Sequence, residues 1–493
     1  MKEKLKFIAG KLGYGVGAIG LDLSYGMFYS FLSHYLVTTL GLKEGFLLLL
    51  TPLARIWDGI NDPMMGTIVD NTRTKFGKYR PWILIGAVSN GIVLFLLFSR
   101  FGLSGLPLYI YVAVMYVLWG MSNTLADIPY WSMIPSFTSE EKERNLVSTV
   151  ARTFSGLGQG IITIATPIIV PLLSTGMNKD KDGYTPEGFS RWAGICGILL
   201  VVFALVCVLT TKETNVVYGE KKKFSFKQIF KVIKGNDQLV VFMIFAMLSN
   251  AGWYLTSGTA VTYFTQVVGV AKAQSLFQTI GAVGSVLGLL VIPILSVKFS
   301  KRTIYSISLC TCIIGYALMF ALSMMLKVRI PEIIAAAPGK TEAYNSIIKA
   351  TMPLSISYIL ASVGISSMFV SQTIFLADIV DYGEYKNGER NESITFSMKG
   401  FLQKLAYTIQ TVIYYGGLGL FRYSEQVNDC KARGVDVVVN AQTKTAIGVI
   451  GFAVPIVLLL ASLFVFRSKF RLYGRLADEV HDYIIEKRAS EKE

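Results

Sequence analysis

Charge is scarce in this sequence. Only 16% of its 493 residues are Asp, Glu, Lys or Arg, while 53% are hydrophobic. A soluble domain would carry roughly a quarter of charged residues. Apolar runs such as 83–98, 192–209 and 447–466 approach the ~20 residues that a helix needs to cross the hydrocarbon core of a bilayer. Because such runs recur along the whole chain, the composition excludes a soluble globular protein and a protein with a single membrane anchor.

Histidine, cysteine and enzyme motifs are also sparse. The chain has two His and five Cys, and no Cys-x-x-Cys or Cys/His spacing that would indicate a disulfide framework or a zinc site. His34 lies between aromatic and aliphatic neighbours, which favours an interior histidine. The sequence contains no HExxH, P-loop or GxSxG motif. We therefore expect neither an enzyme nor a resident cofactor.

Twelve membrane spans fit the hydropathy pattern. They are 14–40, 44–70, 82–100, 106–136, 146–174, 191–211, 238–268, 275–297, 303–326, 352–380, 393–421 and 445–466. Most Lys and Arg fall in the loops on the side that holds both termini, and short basic loops stay in the cytoplasm. The pattern predicts a multi-pass protein of the cell membrane with both termini cytoplasmic. On the opposite side, two long loops are predicted, around 327–351 and 422–444.

The net charge of +15 is explained by this topology and by contact with anionic lipid, not by nucleic acid. The basic start of the chain lacks a small-residue cleavage site, so an uncleaved first helix is expected. The chain is predicted to divide into a six-helix bundle (1–211), a basic connector (212–237), a second six-helix bundle (238–466) and a cytoplasmic tail (467–493). Interleaved Lys and Phe/Ile residues in the connector suit an amphipathic helix on the inner leaflet. A solvated linker would explain them equally well.

Three short matches relate the two halves of the chain in the same order and at nearly the same spacing. Ala126-Asp127-Ile128 recurs as Ala377-Asp378-Ile379, Glu143-Arg144-Asn145 recurs as Glu389-Arg390-Asn391, and Arg152 has a basic counterpart in Lys404. Matches this short also arise by chance. Two parallel six-helix repeats, with a substrate site between them, are the architecture of the major facilitator superfamily. The sequence thus predicts an all-α membrane protein with this fold and two pseudo-symmetric halves.

Ionisable residues inside the spans are costly, and they are usually paired and functional. The predicted set comprises Asp22, Asp58, Asp62 and Asp127 with Arg55, Arg152, Lys399 and Lys404. Asp58 and Asp62 are four residues apart and therefore share one helix face, with Arg55 a turn earlier and Asn61 beside them. Such a cluster of oxygen atoms suits a small cation or a shared proton. A purely structural ion network with Arg55 is the alternative.

A second group combines carboxylates, a guanidinium and aromatic rings. Asp22, Asp127 and Arg152 lie on spans that also carry Tyr25, Tyr29, Tyr130 and Trp131. Carboxylates accept hydrogen bonds from sugar hydroxyls, Arg donates in a fork, and aromatic rings stack on the apolar faces of sugars. This group indicates a sugar site. The alternative is a set of interfacial aromatic residues with a salt bridge between helices.

Several long motifs carry a resemblance to a known family. Residues 54–66 read ARIWDGINDPMMG, 77–82 read GKYRPW, 127–132 read DIPYWS and 378–384 read DIVDYGE; Asp70 to Arg73 and Trp119 to Met121 add shorter matches. In these segments the chain resembles the glycoside–pentoside–hexuronide:cation symporter family, and the similarity covers nearly all twelve spans. The resemblance implies cation-coupled transport of a sugar by alternating access.

The resemblance also implies roles for individual residues. The implied substrate-binding residues are Asp22, Tyr29, Asp127, Trp131, Arg152 and Lys404. The implied cation ligands are Asp58, Asn61, Asp62 and Thr124, which would hold Na+ in a sodium-coupled carrier and serve a proton otherwise. The implied cytoplasmic gate comprises Arg144, Asp378, Asp381 and Arg390. Leu21, Asn123 and Phe369 depart from the family pattern, so the rim of the pocket is expected to differ.

The expected function is therefore symport of a glycoside, an oligosaccharide or a related sugar with Na+ or H+. The expected partners are the sugar, the monovalent cation and membrane lipid, with no nucleic acid. Two alternatives remain. A cation-coupled carrier of another amphiphilic solute, such as a lysolipid, would need a more apolar pocket than the charged residues suggest. A sugar sensor that does not transport would need a signalling domain, and the tail after residue 475 is short for one.

Overall fold

The computed structural model describes residues 2–134, 141–175, 183–213, 226–388, 392–433 and 435–490. These residues form helices joined by short connections. In chain order the helices are α1 (Lys2–Gly26), α2 (Glu44–Asn71), α3 (Arg80–Leu97), α4 (Gly105–Ser132), α5 (Glu141–Leu173), α6 (Pro186–Thr210), α7 (Phe226–Gly235), α8 (Asp237–Thr262), α9 (Lys272–Ser296), α10 (Lys301–Ala336), α11 (Lys340–Asn387), α12 (Glu392–Leu420), α13 (Tyr423–Ala432), α14 (Ala441–Gly448), α15 (Val454–Lys469) and α16 (Arg475–Ser490).

Short π-helical turns extend three of the spans. Helix α1 continues to Thr39 through the turns Met27–Phe31 and Tyr35–Thr39, Tyr263–Val268 extends α8, and Val449–Ala453 joins α14 to α15. With these extensions, the described residues contain twelve long helical segments, as predicted. Nine of them are long and apolar enough to cross a membrane by composition alone. The other three, formed by α1, α2 and α12, carry intramembrane charges that lower their hydropathy.

The predicted long loop around 327–351 is wrong. Helix α10 runs to Ala336 and α11 begins at Lys340, so only residues 337–339 connect them. The reason is local propensity, because this stretch is rich in Ala, Ile, Glu and Lys, which continue a helix beyond the apolar core. The loop predicted around 422–444 contains the short helix α13. In the basic connector, helix α7 occupies Phe226–Gly235.

The chain forms two compact units. The first comprises Met1–Phe224, Phe264–Ser275 and Leu418–Val439, and the second comprises Ser225–Tyr263, Leu276–Gly417 and Asn440–Glu493. In the first unit α1 packs on α5 and α6, α3 packs on α4 and α6, and α2 packs on α4. In the second unit three of these five pairs have a counterpart: α8 packs on α15, and α10 packs on α11 and α15. These three repeated pairs agree with two pseudo-symmetric halves.

Glycine permits the closest helix approaches in the first unit. A Cβ atom on Gly91 of α3 would lie 2.8 Å from the carbonyl oxygen of Gly197 on α6, and a Cβ on Gly197 would lie 2.7 Å from that of Gly91. Likewise, a Cβ on Gly86 would lie 2.4 Å from the backbone nitrogen of Ala126 on α4. Small residues at such crossings let helix backbones meet where lipid supplies no hydrophobic driving force.

We expect the Gly91→Ala variant to lower the apparent midpoint of thermal unfolding in detergent, because its methyl group would push α3 away from α6. The cost of such overpacking is about 1–3 kcal/mol. Gly156→Ala is the matched control, since a Cβ there meets nothing within 4 Å and alanine favours the helix by up to ~1 kcal/mol. Equal midpoints for the two variants would contradict the proposed importance of the Gly91–Gly197 crossing.

Candidate functional site

Two carboxylates on α2 face α4 one helical turn apart. A Cβ on Gly120 would lie 3.1 Å from Oδ1 of Asp58, and the hydroxyl of Thr124 donates a 2.9 Å hydrogen bond to Oδ1 of Asp62. The four-residue spacing on α2 therefore matches the four-residue spacing on α4. This register places both acids, as predicted, on a single helix face.

The surroundings of these acids combine one positive charge with neutral polar groups. Arg55 Nη1 lies 2.5 Å from Oδ2 of Asp58, and both residues are buried. Asn61 is also buried, and within the described part of the chain its amide nitrogen has no hydrogen-bond partner. The carbonyl oxygen of Gly120 also lies 2.9 Å from the Thr124 hydroxyl, so the single hydroxyl proton is shared between this oxygen and Asp62. This donor set offers carboxylate, amide and hydroxyl oxygens to a hard cation.

Among the described residues, no group of three or more His, Cys, Asp and Glu side chains is placed to hold a metal ion. Two carboxylates with an amide and a hydroxyl fit a small monovalent cation or a proton better than a tightly held transition metal. A transported cation would be cargo that enters and leaves in each cycle.

A second cluster lies on α4 and α5. Trp131 Nε1 donates a 2.9 Å hydrogen bond to Oδ1 of Asp127, and the Cζ atom of Arg152 lies 3.8 Å from the centroid of the Trp131 ring. Trp131 thus binds the Asp127 carboxylate at its ring edge by a hydrogen bond. It contacts the Arg152 guanidinium at its ring face, which is a cation–π arrangement. The structure brings three of the predicted sugar-binding residues together.

Asp22 on α1 joins this second cluster. Its carboxylate accepts a hydrogen bond from the side chain of Ser155 and interacts electrostatically with Asp127 and Arg152. A glycine on α5 brings the helix close, since a Cβ on Gly158 would lie 2.6 Å from a backbone oxygen of α1 and 3.0 Å from the Cβ of Asp22. The close crossing of α1 and α5 therefore positions Asp22.

Tyr29 lies in an aromatic group near both clusters. Its ring stacks on Tyr25 with centroids 5.4 Å apart and meets the edge of Trp119 at 5.9 Å. The Cζ atom of Arg55 lies 5.8 Å from the Tyr29 centroid. Arg55 therefore contacts Asp58 of the first cluster and Tyr29 of the predicted sugar set. The side chain of Tyr25 is hydrogen-bonded to Asn123, the residue that precedes Thr124.

The remaining predicted residues belong to the second unit or lie outside the described residues. Lys404 is half-buried on α12. Both carboxylate oxygens of Asp378 lie 2.8 Å from Nζ of Lys301, and Asp381 is half-buried on α11. The side chain of Arg144 and the whole of Arg390 lie outside the described residues, so the predicted gate stays a prediction.

Three residues at these sites were not anticipated from the sequence. Gly120 and Ser155 contact Asp58 and Asp22 respectively, and Lys301 pairs with Asp378. The spacing could have indicated the first two, because Gly120 precedes Thr124 by four residues and Ser155 follows Arg152 by three. No local pattern indicates Lys301, which lies at the start of a different helix. Another intramembrane base, Lys399, donates a 2.6 Å hydrogen bond to Thr373 on α11.

Comparison with known proteins agrees with this picture. The family described as MFS/sugar transport protein matches residues 13–472. The lactose permease of Leuconostoc lactis is 27% identical over 82% of this chain, which spans only 62% of that relative's length. A putative glycoside/cation symporter of Escherichia coli strain K12 is 25% identical over 98% of this chain and 96% of its own length.

A solved structure supports the fold. The crystal structure of a nucleoside transporter superposes with a TM-score of 0.61 at 13% identity. The superposition covers 93% of this chain and 100% of the transporter chain. An identity this low shows the fold alone. The family match, in contrast, extends over nearly every helix described above. This chain belongs to the MFS/sugar transport protein family of the major facilitator superfamily.

Proposed function

We propose that this protein is a secondary active transporter that carries a glycoside, an oligosaccharide or a related sugar together with a monovalent cation. The contact between Thr124 and Asp62 is the observation that carries the proposal. It joins the candidate cation ligands on α2 to α4, the helix that also carries the candidate sugar residue Asp127. A carrier with this arrangement can make the affinity for one ligand depend on the other.

The second cluster supports a sugar as the substrate. Asp127 and Asp22 can accept hydrogen bonds from hydroxyl groups, and Arg152 can donate to ring or hydroxyl oxygens. The Trp131 ring offers an apolar face for stacking. Relatives named as a lactose permease and a glycoside/cation symporter have the same substrate class. A lysolipid would instead leave these buried polar groups without partners, which is costly.

The first cluster supports a monovalent cation as the coupling ion. Away from their ends, the spans of the first unit carry four acids, Asp22, Asp58, Asp62 and Asp127, against two bases, Arg55 and Arg152. An excess of acids in a medium of low dielectric favours uptake of Na+ or a proton. The oxygen donors at Asp58, Asn61, Asp62 and Thr124 suit Na+, while either carboxylate could take a proton.

Coupling follows from the geometry of α4. Thr124 and Asp127 are three residues apart and lie on the same side of the helix. A cation that engages Thr124 and Asp62 would fix the rotation of α4 and so preset Asp127 for the sugar. The cation would also neutralise a buried carboxylate that otherwise repels the sugar-binding acids. Linkage requires the sugar to tighten cation binding by the same factor.

The test is sugar affinity with and without cation, on purified protein with a panel of glycosides, oligosaccharides and a lysophospholipid. We expect Na+, Li+ or a lower pH to tighten sugar binding by an amount equivalent to about 1–3 kcal/mol. Thr124→Val, which lacks the hydroxyl, should reduce this cation effect, whereas Thr124→Ser, which keeps it, should preserve it.

Two results would contradict the proposal. Sugar binding that is indifferent to every cation would leave a uniporter and remove the functional role of Asp58 and Asp62. Binding of the lysophospholipid with no binding of any sugar would assign the protein to amphiphile transport.

The sugar site is tested by Asp127→Asn, which keeps size and removes charge. We expect a loss of about 1.5–3 kcal/mol of charge-assisted hydrogen bonding, or tenfold or more in sugar affinity. Asp429→Asn is the matched control, because Asp429 is exposed on α13. Its Oδ2 atom lies 2.6 Å from Nη2 of Arg433, which is also exposed. Unchanged sugar affinity in Asp127→Asn would leave this residue a structural partner of Trp131.

We also propose that both termini lie in the cytoplasm, because the loops on their side carry most of the basic residues. Lys234 and Lys340 are exposed and lie on opposite sides in this topology. In a cysteine-free version on intact cells, a membrane-impermeant maleimide should label Lys340→Cys directly and Lys234→Cys only after permeabilisation. The reverse pattern would invert the topology.

A further inference from the structure

Helix α13 (Tyr423–Ala432) packs on the connection between α1 and α2. The segment Leu418–Val439, which contains α13, belongs to the first unit, although the chain on both sides of it belongs to the second. The connection that receives it comprises residues 38–44. The chain therefore leaves the second unit at this segment, packs within the first unit, and then returns to the second.

Glu44 makes the central contact of this docking. Its side chain is buried, and its two carboxylate oxygens accept hydrogen bonds from the backbone N–H and from the hydroxyl of Ser424. Ser424 is likewise buried in the first turn of α13. The carboxylate thus sits at the N-terminus of α13, where free backbone N–H groups and the helix dipole favour negative charge.

Three more hydrogen bonds surround this contact. The hydroxyls of Thr38 and Tyr423 lie 2.8 Å apart, both buried. Further along α13, Asn428 Nδ2 donates to the carbonyl oxygen of Gly41 at 3.0 Å, and Lys431 Nζ donates to that of Thr39 at 2.6 Å. The bonds follow the helix over two turns.

The backbone on both sides is shaped for this contact. Gly41 has φ +80°, and a Cβ there would lie 2.1 Å from Oδ1 of Asn428, so the position requires glycine for both reasons. On the other side, Arg422 has φ 52°, a left-handed conformation that non-glycine residues seldom adopt. Such a conformation persists when the surrounding contacts hold it.

Both partners lie on one face of the membrane. Residues 40–43 follow the first long helical segment, and residues 421–440 follow the eleventh. With twelve segments, both connections fall on the face opposite the termini. A second segment, Phe264–Ser275, also belongs to the first unit, and Ser275 donates a 2.7 Å hydrogen bond to the carbonyl oxygen of Ile164 on α5.

We propose that α13 is a latch: docked on residues 38–44 through Glu44, it ties the ends of α12 and α14 to the first unit, and this face of the carrier opens only after the contact breaks. The proposal rests on the proposed transport function for its role in the cycle, and on the contacts alone for the docking itself. Charge-assisted bonds to a buried carboxylate suit a latch, because they are strong while dry and are replaced by hydration after release.

Amide hydrogen exchange tests the docking without any substrate. We expect Glu44→Gln to speed exchange of the α13 amides by about tenfold or more. Without the charge-assisted bonds, the free energy needed to open α13 locally is lower. Glu425→Gln is the matched control, because Glu425 is an exposed acid of the same helix whose partner, Arg422, is 3.7 Å away. Ser424→Ala removes the hydroxyl donor from the other side and should also speed exchange. Equal exchange in wild type, Glu44→Gln and Ser424→Ala would overturn the latch.

A reversible cross-link tests the role in transport. A Cβ at position 419 would lie 3.9 Å from the Cβ of Glu44, within the ~3.5–4.5 Å range of disulfides. In a version whose native cysteines are replaced by serine, the Glu44→Cys/Gly419→Cys pair should lose sugar counterflow on oxidation, to less than about a tenth, and regain it on reduction. In each single cysteine variant, counterflow should be the same under oxidising and reducing conditions.

The outcomes separate the two proposals. Undiminished counterflow in the fully oxidised pair would overturn the latch while leaving the carrier function intact. If no sugar is exchanged in either redox state or in the wild type, the proposed function fails, and hydrogen exchange still decides whether the docking contact holds.

Discussion

The structure depends on polar partners for the carboxylates that lie inside the apolar membrane spans. A carboxylate inside a membrane span costs several kcal/mol unless polar groups replace its lost hydration. Each of the four acids away from the ends of the spans in the first unit has such a group from another residue, and Asp22, Asp58 and Asp62 lie where helices cross. The pairs are Asp58 with Arg55, Asp62 with Thr124, Asp127 with Trp131, and Asp22 with Ser155.

This constraint explains why glycine recurs beside the acids. A carboxylate can reach a group on a neighbouring helix only if the backbones approach closely, and small residues allow that approach. Gly120 faces Asp58, and Gly158 faces Asp22. In both places packing and chemistry impose the same requirement, since a larger side chain would separate the helices and occupy the space beside the carboxylate.

The two clusters and the α13 latch represent different uses of the same interaction. Within the spans, the carboxylates bind neighbouring side chains, and our proposal adds a transported cation or a sugar hydroxyl group to these partners. At Glu44 both oxygens are occupied by Ser424. A ligand site must exchange partners in each cycle, whereas a latch must hold one partner until it is released.

Much of the architecture was determined by the sequence itself. Apolar length defined the spans, intramembrane charge marked the acids, and the four-residue spacing of Asp58 and Asp62 placed them on one face, because a helix has a fixed period. Sequence did not predict the short connection between α10 and α11, since hydropathy reports the membrane core and helix propensity extends beyond it. Only the tertiary structure decided that Thr124 meets Asp62, that Lys301 pairs with Asp378 and that Glu44 docks α13. Those pairings join residues far apart in the chain, and the register of one helix against another depends on packing along their whole length.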